Sequence, residues 1–207
     1  MICTSSHGRC IRTKYKTYAI SGNRGKDANY YGECYPKLAP KLSFWKIWHD
    51  NIGKVSEEEN TKYYVREYYK QVLSKLDPEQ VYCELDNSIL LCYEPITKFC
   101  HRHIVAAWFE ILLDVDVPEV TVSNNQVEIV DRPTYYKDYL TDIMKEEQDM
   151  KGFNSLRALY LFEEGEKLEE QASVLEETTG TSYSDCFNFA RTLKREAREV
   201  EAHYNNK

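Results

Sequence analysis

The sequence predicts an α/β fold: a small parallel or mixed sheet covered by helices, followed by an α-helical C-terminal extension. Three observations carry this expectation. Short apolar segments ending in hydroxyl-rich loops occur at residues 1–5 and 17–21, as in the strands of a covered sheet. Between such segments run longer stretches with apolar residues at helical spacing, so strands and helices alternate along the chain. From Tyr135 onward the composition shifts to Glu, Lys, Leu and Tyr and the strand signals cease. The expected division is an α/β domain over residues 1–133 and a helical extension over 134–207.

Each element follows from local chemistry. The second strand carries Tyr18, Ala19 and Ile20 and leads into Gly22-Asn23-Arg24-Gly25-Lys26-Asp27. That loop has phosphate-loop character but fits neither the dinucleotide nor the P-loop pattern. Two prolines in Tyr35-Pro36-Lys37-Leu38-Ala39-Pro40 fix an extended path. Ser43 is placed to cap a helix bearing Phe44, Trp45, Ile47 and Trp48. A second helix is expected over 57–76, with acids at its positive end and Tyr64, Val65, Tyr68, Val72 and Leu76 near one face. Asp77-Pro78 is read as its stop, and residues 81–84 as a short buried segment. A strand follows at 88–92 and an apolar helix at 103–113. Residues 119–122 and 126–130 flank Ser123-Asn124-Asn125 and read as a hairpin adding an antiparallel edge. Beyond it, Gly152 and residues 178–182 break the extension into two or three helices. Their apolar positions, Leu156, Leu159, Tyr160, Phe162, Leu168 and Leu175, would dock on the first domain or form a partner face.

Composition bounds the function. Of the 207 residues 42% are apolar and 13% aromatic, sufficient for a packed core. No apolar run reaches the roughly 18–20 residues that span a bilayer, and the start of the chain lacks a basic segment followed by an apolar one. A cytosolic protein with no membrane partner is expected. Seven cysteines, an odd and widely spaced set, read as reduced thiols. The net charge of −7 argues against strong sequence-independent binding of duplex nucleic acid. Cations nevertheless outnumber acids over residues 1–54, which allows a local basic face.

Reactive side chains crowd between the strand at 88–92 and the helix that follows: Cys92, Glu94, Cys100, His101, Arg102 and His103. Strand-to-helix turns at the carboxyl edge of such sheets are where ligands bind. If the three main strands run parallel, Ser5, Ser21 and Arg24 join the cluster on one rim. Free amides of the helix's first turn and the positive end of its dipole would favour an anion there. Arg102 could add a bidentate grip, with Arg24 or Lys26 as a second cation. The same field would stabilise Cys100 as a thiolate, nucleophile or ligand. Glu94 would be a general base, or else the partner that holds Arg102. Under the plainer structural reading Cys92 is core, Glu94 pairs with Arg102, and the histidines cap the helix. Metal binding is a rival, since Cys100 and His103 lie three apart with Cys92 and His101 close by, but the spacing matches no standard zinc signature, and no metal ligands are assigned. Near the first strand, His7 with Cys3 and Cys10 is a weaker ligand set.

These segments resemble a bacterial and phage family catalogued as domain of unknown function 488, or YeaO-like. The resemblance rests on the strand ending in Thr4-Ser5, on Tyr18-Ala19-Ile20-Ser21, on Tyr35-Pro36-Lys37-Leu38-Ala39-Pro40, and on Leu90-Leu91-Cys92-Tyr93-Glu94 with Phe99-Cys100-His101-Arg102-His103. It implies a compact α/β domain over about residues 1–113 with a site built from Cys92, Glu94, Cys100, His101 and Arg102. The expected function is binding of a phosphorylated or anionic small molecule, such as a nucleotide, with hydrolytic or transfer chemistry by Cys100, Glu94 and His101. Arg102, Cys92, Ser5, Ser21 and Arg24 are the expected ligand-binding residues, and the cofactor is left unassigned. In the alternatives, the acidic tail contacts a protein partner, or the cluster is a Cys/His metalloenzyme centre.

Overall fold

The computed structural model describes residues 1–11, 13–151 and 155–205. These form two compact units, Met1–Thr141 and Asp142–Lys207.

The first unit is α/β. Its strands are β1 (Cys3–Ser6), β2 (Cys10–Ile11), β3 (Lys16–Ala19), β4 (Glu33–Cys34), β5 (Ser88–Cys92), β6 (Glu119–Ser123) and β7 (Gln126–Val130). They make one mixed sheet in the order β2-β6-β1-β5-β3-β4, with β7 paired to β6. Every pairing is parallel except the β6/β7 hairpin. Register fixes the functional rim: Ser6 lies opposite Cys92 and Ala19 opposite Leu91, so β1, β3 and β5 end together.

All five residues of β5 are buried, as expected of a parallel strand covered on both faces. The helix that returns from it, α4 (His101–Leu113), is buried almost all round, from Ile104 through Phe109 and again at Leu112. At the β6/β7 turn, Asn124 and Asn125 both take positive φ, 51° and 64°, the conformation a two-residue primed turn demands.

Several boundaries differ from the sequence expectation, each for a local reason. Helix α1 (Leu42–Asp50) starts one residue before Ser43, whose hydroxyl binds the Gln71 side chain instead of capping. Helix α2 (Glu57–Gln71) is opened by Ser56, which accepts from the Glu59 amide while Glu59 reaches back to the Ser56 amide. It stops at Gln71, and a 3₁₀ turn, Leu73–Lys75, follows. Asp77-Pro78 is a start, not the stop expected of it. The Asp77 carboxylate accepts from the amides of Glu79 and Gln80 at 2.8 and 3.2 Å, and Pro78 fills the first position of α3 (Pro78–Glu84). Residues 81–84, expected as a short buried segment, are instead the end of this helix, in which Val81 is buried while Cys83 and Glu84 are exposed.

Helix α5 (Tyr135–Lys151) crosses the boundary between the units. In the second unit α6 (Leu156–Thr179) and α7 (Ser184–Asn205) form an antiparallel hairpin. The Ser155 amide donates to Glu201 at 2.9 Å, Lys194 pairs with Glu169 at 2.7 Å, and the Tyr183 amide donates to Glu176 at 2.7 Å. At Gly165 an added Cβ would sit 2.9 Å from the Ala190 carbonyl, so glycine permits the close approach. Of the expected apolar positions Leu159 is buried, Phe162 lies under the Lys194 ammonium and Leu175 is exposed. Gly152, expected to break the helices, lies outside the described residues. No helix among the described residues is long and apolar enough to cross a membrane.

Candidate functional site

Strand β5 delivers Cys92 to the rim, and the chain returns through a turn closed by Lys98 N to Pro95 O at 3.0 Å. Cys100 is the residue before α4, in extended conformation (φ −155°, ψ 134°). Because it is not yet helical, the three-residue spacing that would put Cys100 beside His103 does not operate. His101 is brought to the sulfurs instead.

Its ring lies with Nδ1 3.5 Å from the Cys92 sulfur and Nε2 3.1 Å from the Ile20 carbonyl oxygen. A carbonyl can only accept, so Nε2 carries the hydrogen and Nδ1 offers its lone pair to Cys92. The Tyr68 ring meets the imidazole edge-on at 5.6 Å and holds its plane. Sγ of Cys92, Sγ of Cys100 and a ring nitrogen of His101 lie within 4.8 Å of one another, and all three residues are buried. Burial alone would push the Cys100 thiol up. The hydrogen bond from Cys92, the Arg102 charge and the hydrogen bond of His101 outweigh it and hold the thiol well below the ordinary range. Cys92 moves the opposite way, because it is hydrogen-bonded to Cys100 and desolvated. The two thiols of the pair are thus pushed in opposite directions, Cys100 down and Cys92 up.

Above this floor opens a cleft of about 590 Å³. Trp45, Trp48, Tyr64 and Phe99 supply aromatic wall, while Tyr93, Asn23 and Asp27 supply polar rim. The polar rim is internally braced: the Tyr93 hydroxyl donates to the Asn23 carbonyl oxygen and accepts from the Asp27 amide, and the Asn23 amide donates to the Asp27 carboxylate. Phe99 packs on Trp48 and Tyr64 with centroids 5.0 and 4.7 Å apart, tying the β5–α4 loop to α1 and α2.

The expected site residues divide accordingly. Cys92, Glu94, Cys100, His101 and Ser21 all line the cleft. Ser21 also accepts the Gly25 amide at 3.1 Å. Ser5 and Arg102 point into the core. The Ser5 hydroxyl donates to the Val120 carbonyl at 2.6 Å. Arg102 is fully buried, with Nε donating to both oxygens of Glu119 at 3.2 Å and Nη1 to the Glu94 carbonyl at 2.7 Å. Nη2 lies 3.1 Å from Glu119, close enough for charge pairing but not aligned for a further hydrogen bond. Glu119 also accepts from Thr4 at 2.7 Å. The grip assigned to Arg102 is thus taken by a carboxylate from β6, and Glu94 meets Arg102 through its backbone, not its side chain. Arg24 sits on the loop with φ 60° and does not line the cleft. His103 is stacked on Tyr136 in the core, with neither ring nitrogen hydrogen-bonded and Nδ1 3.9 Å from the Glu119 carboxylate. His7 lies between the rings of Tyr30 and Tyr93, 5.1 Å from each, apart from the cleft lining.

Sequence reasoning did not assign Trp45, Trp48, Tyr64 and Phe99 to the site. Trp45 and Trp48, three apart on one short helix, carried a signal, but the packing that brings them to the cleft comes from another part of the chain.

A model of the family described as the active DUF488-N3 subclade matches residues 5–111. No curated protein and no solved structure matches the chain. The matched span includes the end of β1, the rim loops, the aromatic wall, Cys92, Glu94, Cys100 and His101, and the chain belongs to the domain of unknown function 488 family.

Proposed function

We propose that the first unit binds a small ligand of nucleobase or nucleotide type in this cleft and performs hydrolytic or transfer chemistry on it at the Cys92–Cys100–His101 floor. The observation that carries the reading is the combination of an aromatic wall with a buried Cys92–Cys100–His101 cluster beneath it. A flat ring stacks well on indole and phenol faces, and its edge would meet groups that accept or hold protons. Glu94, at the cleft and exposed, is suited to take a proton from the attacking group. Among the described residues acids but no lysine or arginine line the cleft, so recognition rests on the ring, and an anionic group would face the α4 amides and solvent. Seven free thiols suit a reducing compartment such as the cytosol.

Titration of nucleobases, nucleosides, nucleotides and inorganic phosphate, read by tryptophan fluorescence, tests the proposal. Ring-bearing compounds should bind and phosphate alone should not. Trp45→Ala should weaken binding by about 1–3 kcal/mol, roughly the value of one base stack. Equal affinity in that variant would sink the reading.

A second reading, in which the α6/α7 hairpin contacts a protein partner, is favoured by the exposure of Val174, Leu175 and Phe189.

A further inference from the structure

The floor of the cleft has a more specific chemistry. Tetrahedral coordination at Zn–S and Zn–N lengths of about 2.3 and 2.0–2.1 Å sets sulfur and nitrogen ligands roughly 3.5 Å apart. Cys92 Sγ and His101 Nδ1 stand at 3.5 Å, and the three donor atoms lie within 4.8 Å of one another, so a small inward adjustment of Cys100 completes the triangle. The imidazole is already oriented: its Nε2–H is bonded to the Ile20 carbonyl, the outer contact that fixes tautomer and ring plane in metal-bound histidines. All three residues face the cleft, which leaves the remaining position open to solvent and ligand. The charges also balance, since two thiolates neutralise a divalent cation and Arg102 is already neutralised by Glu119.

We infer that Cys92, Cys100 and His101 form a three-ligand site for a zinc-class divalent cation, with its fourth position opening into the cleft. The sulfurs then serve as ligands and Cys100 is not the nucleophile. Water in the fourth position would give its proton to the Glu94 carboxylate and remain on the cation as hydroxide, a nucleophile at neutral pH. This deepens the hydrolytic reading above and rests on it only for the role of the bound water. The binding site itself stands on the three side chains.

The test is cobalt titration of the full chain, stripped with chelator and kept reduced, without any nucleotide present. One cobalt per chain is expected, with thiolate-to-cobalt absorption in the near ultraviolet and intense visible bands of tetrahedral geometry. Those bands should vanish in Cys92→Ser and Cys100→Ser, and persist in a Cys34→Ser, Cys83→Ser double variant that removes more accessible thiols. In the unaltered chain, one equivalent of zinc should protect Cys92 and Cys100 from alkylation, read by peptide mass, which requires no variant to fold. Absence of the bands, their survival without Cys92 and Cys100, or unprotected alkylation would each overturn the site. Loss of ring binding in the nucleotide titration leaves this result untouched, and failure here leaves the cleft reading untouched, so the two are separable.

Discussion

The buried Arg102–Glu119 pair illustrates how one residue's role depends on partners distant in sequence. Taking both charges out of water is costly, and the Thr4 hydroxyl and Glu94 carbonyl help offset it by hydrogen bonding. Removing one charge leaves the other stranded. Glu119→Gln is therefore expected to destabilise the first unit by about 3–5 kcal/mol in urea denaturation. Loss of less than about 1 kcal/mol would show the pair to be dispensable. His103, beside this pair, is held neutral. Burial and then the Arg102 charge lower its pKa to about 3. In the unfolded chain it titrates near 6.5, so the unfolded state takes up the proton first. The stability associated with the neutral ring is complete above pH ~6.5 and falls by about 1.4 kcal/mol per pH unit on acidification toward pH ~3. His103→Phe, which keeps the stack on Tyr136, should flatten that slope, as measured by denaturant midpoints between pH 7 and 4. An unchanged slope would assign acid sensitivity to other groups. The sequence displayed Arg102 beside Cys100 and Glu94, but Glu119 stands seventeen positions on, and nothing local announces that it turns inward to take the guanidinium.

At the scale of elements, start signals with side-chain chemistry were partly readable. Ser56 and Glu59 form a reciprocal cap that the acids of the first turn foreshadowed. Ser56→Ala should cost about 1 kcal/mol, visible as a lower thermal midpoint, whereas Ser43→Ala should cost less because its hydroxyl caps nothing. An equal loss in both would contradict the assignment. Strand β5 and the β6/β7 hairpin were legible from composition alone, since a continuous apolar run and an Asn-Asn turn each admit few alternatives. By contrast β2 and β4, two residues each, exist through pairing with β6 and β3 and leave no sequence pattern. Asp77-Pro78 shows the same limit from the other side: the dipeptide marks a boundary, but whether a helix ends or begins there depends on the residues that follow, and here a helix begins.

Over the whole molecule, the α/β class and the helical extension were legible because strand periodicity and helix periodicity occupy different stretches of the chain. The Cys92–His101 cluster was legible as a cluster; its division into cleft-facing Cys92, Cys100 and His101 and core-facing Arg102 and His103 was not, since it turns on where helical geometry begins. The aromatic wall was least legible, because tryptophans on α1 reach the β5–α4 turn only through the tertiary packing of α1 and α2.

The β6/β7 hairpin also has a consequence for handling the protein. Strand β7 pairs only with β6 among the described strands, and Val127 and Ile129 stand exposed on it. An unpaired apolar margin of this kind is a template for strand addition from another molecule. Self-association should therefore rise with concentration, and Ile129→Lys should suppress it in light scattering without lowering the melting temperature. If scattering is the same with lysine there, that margin is already blunted by the charge of Glu128, and the molecule tolerates crowding.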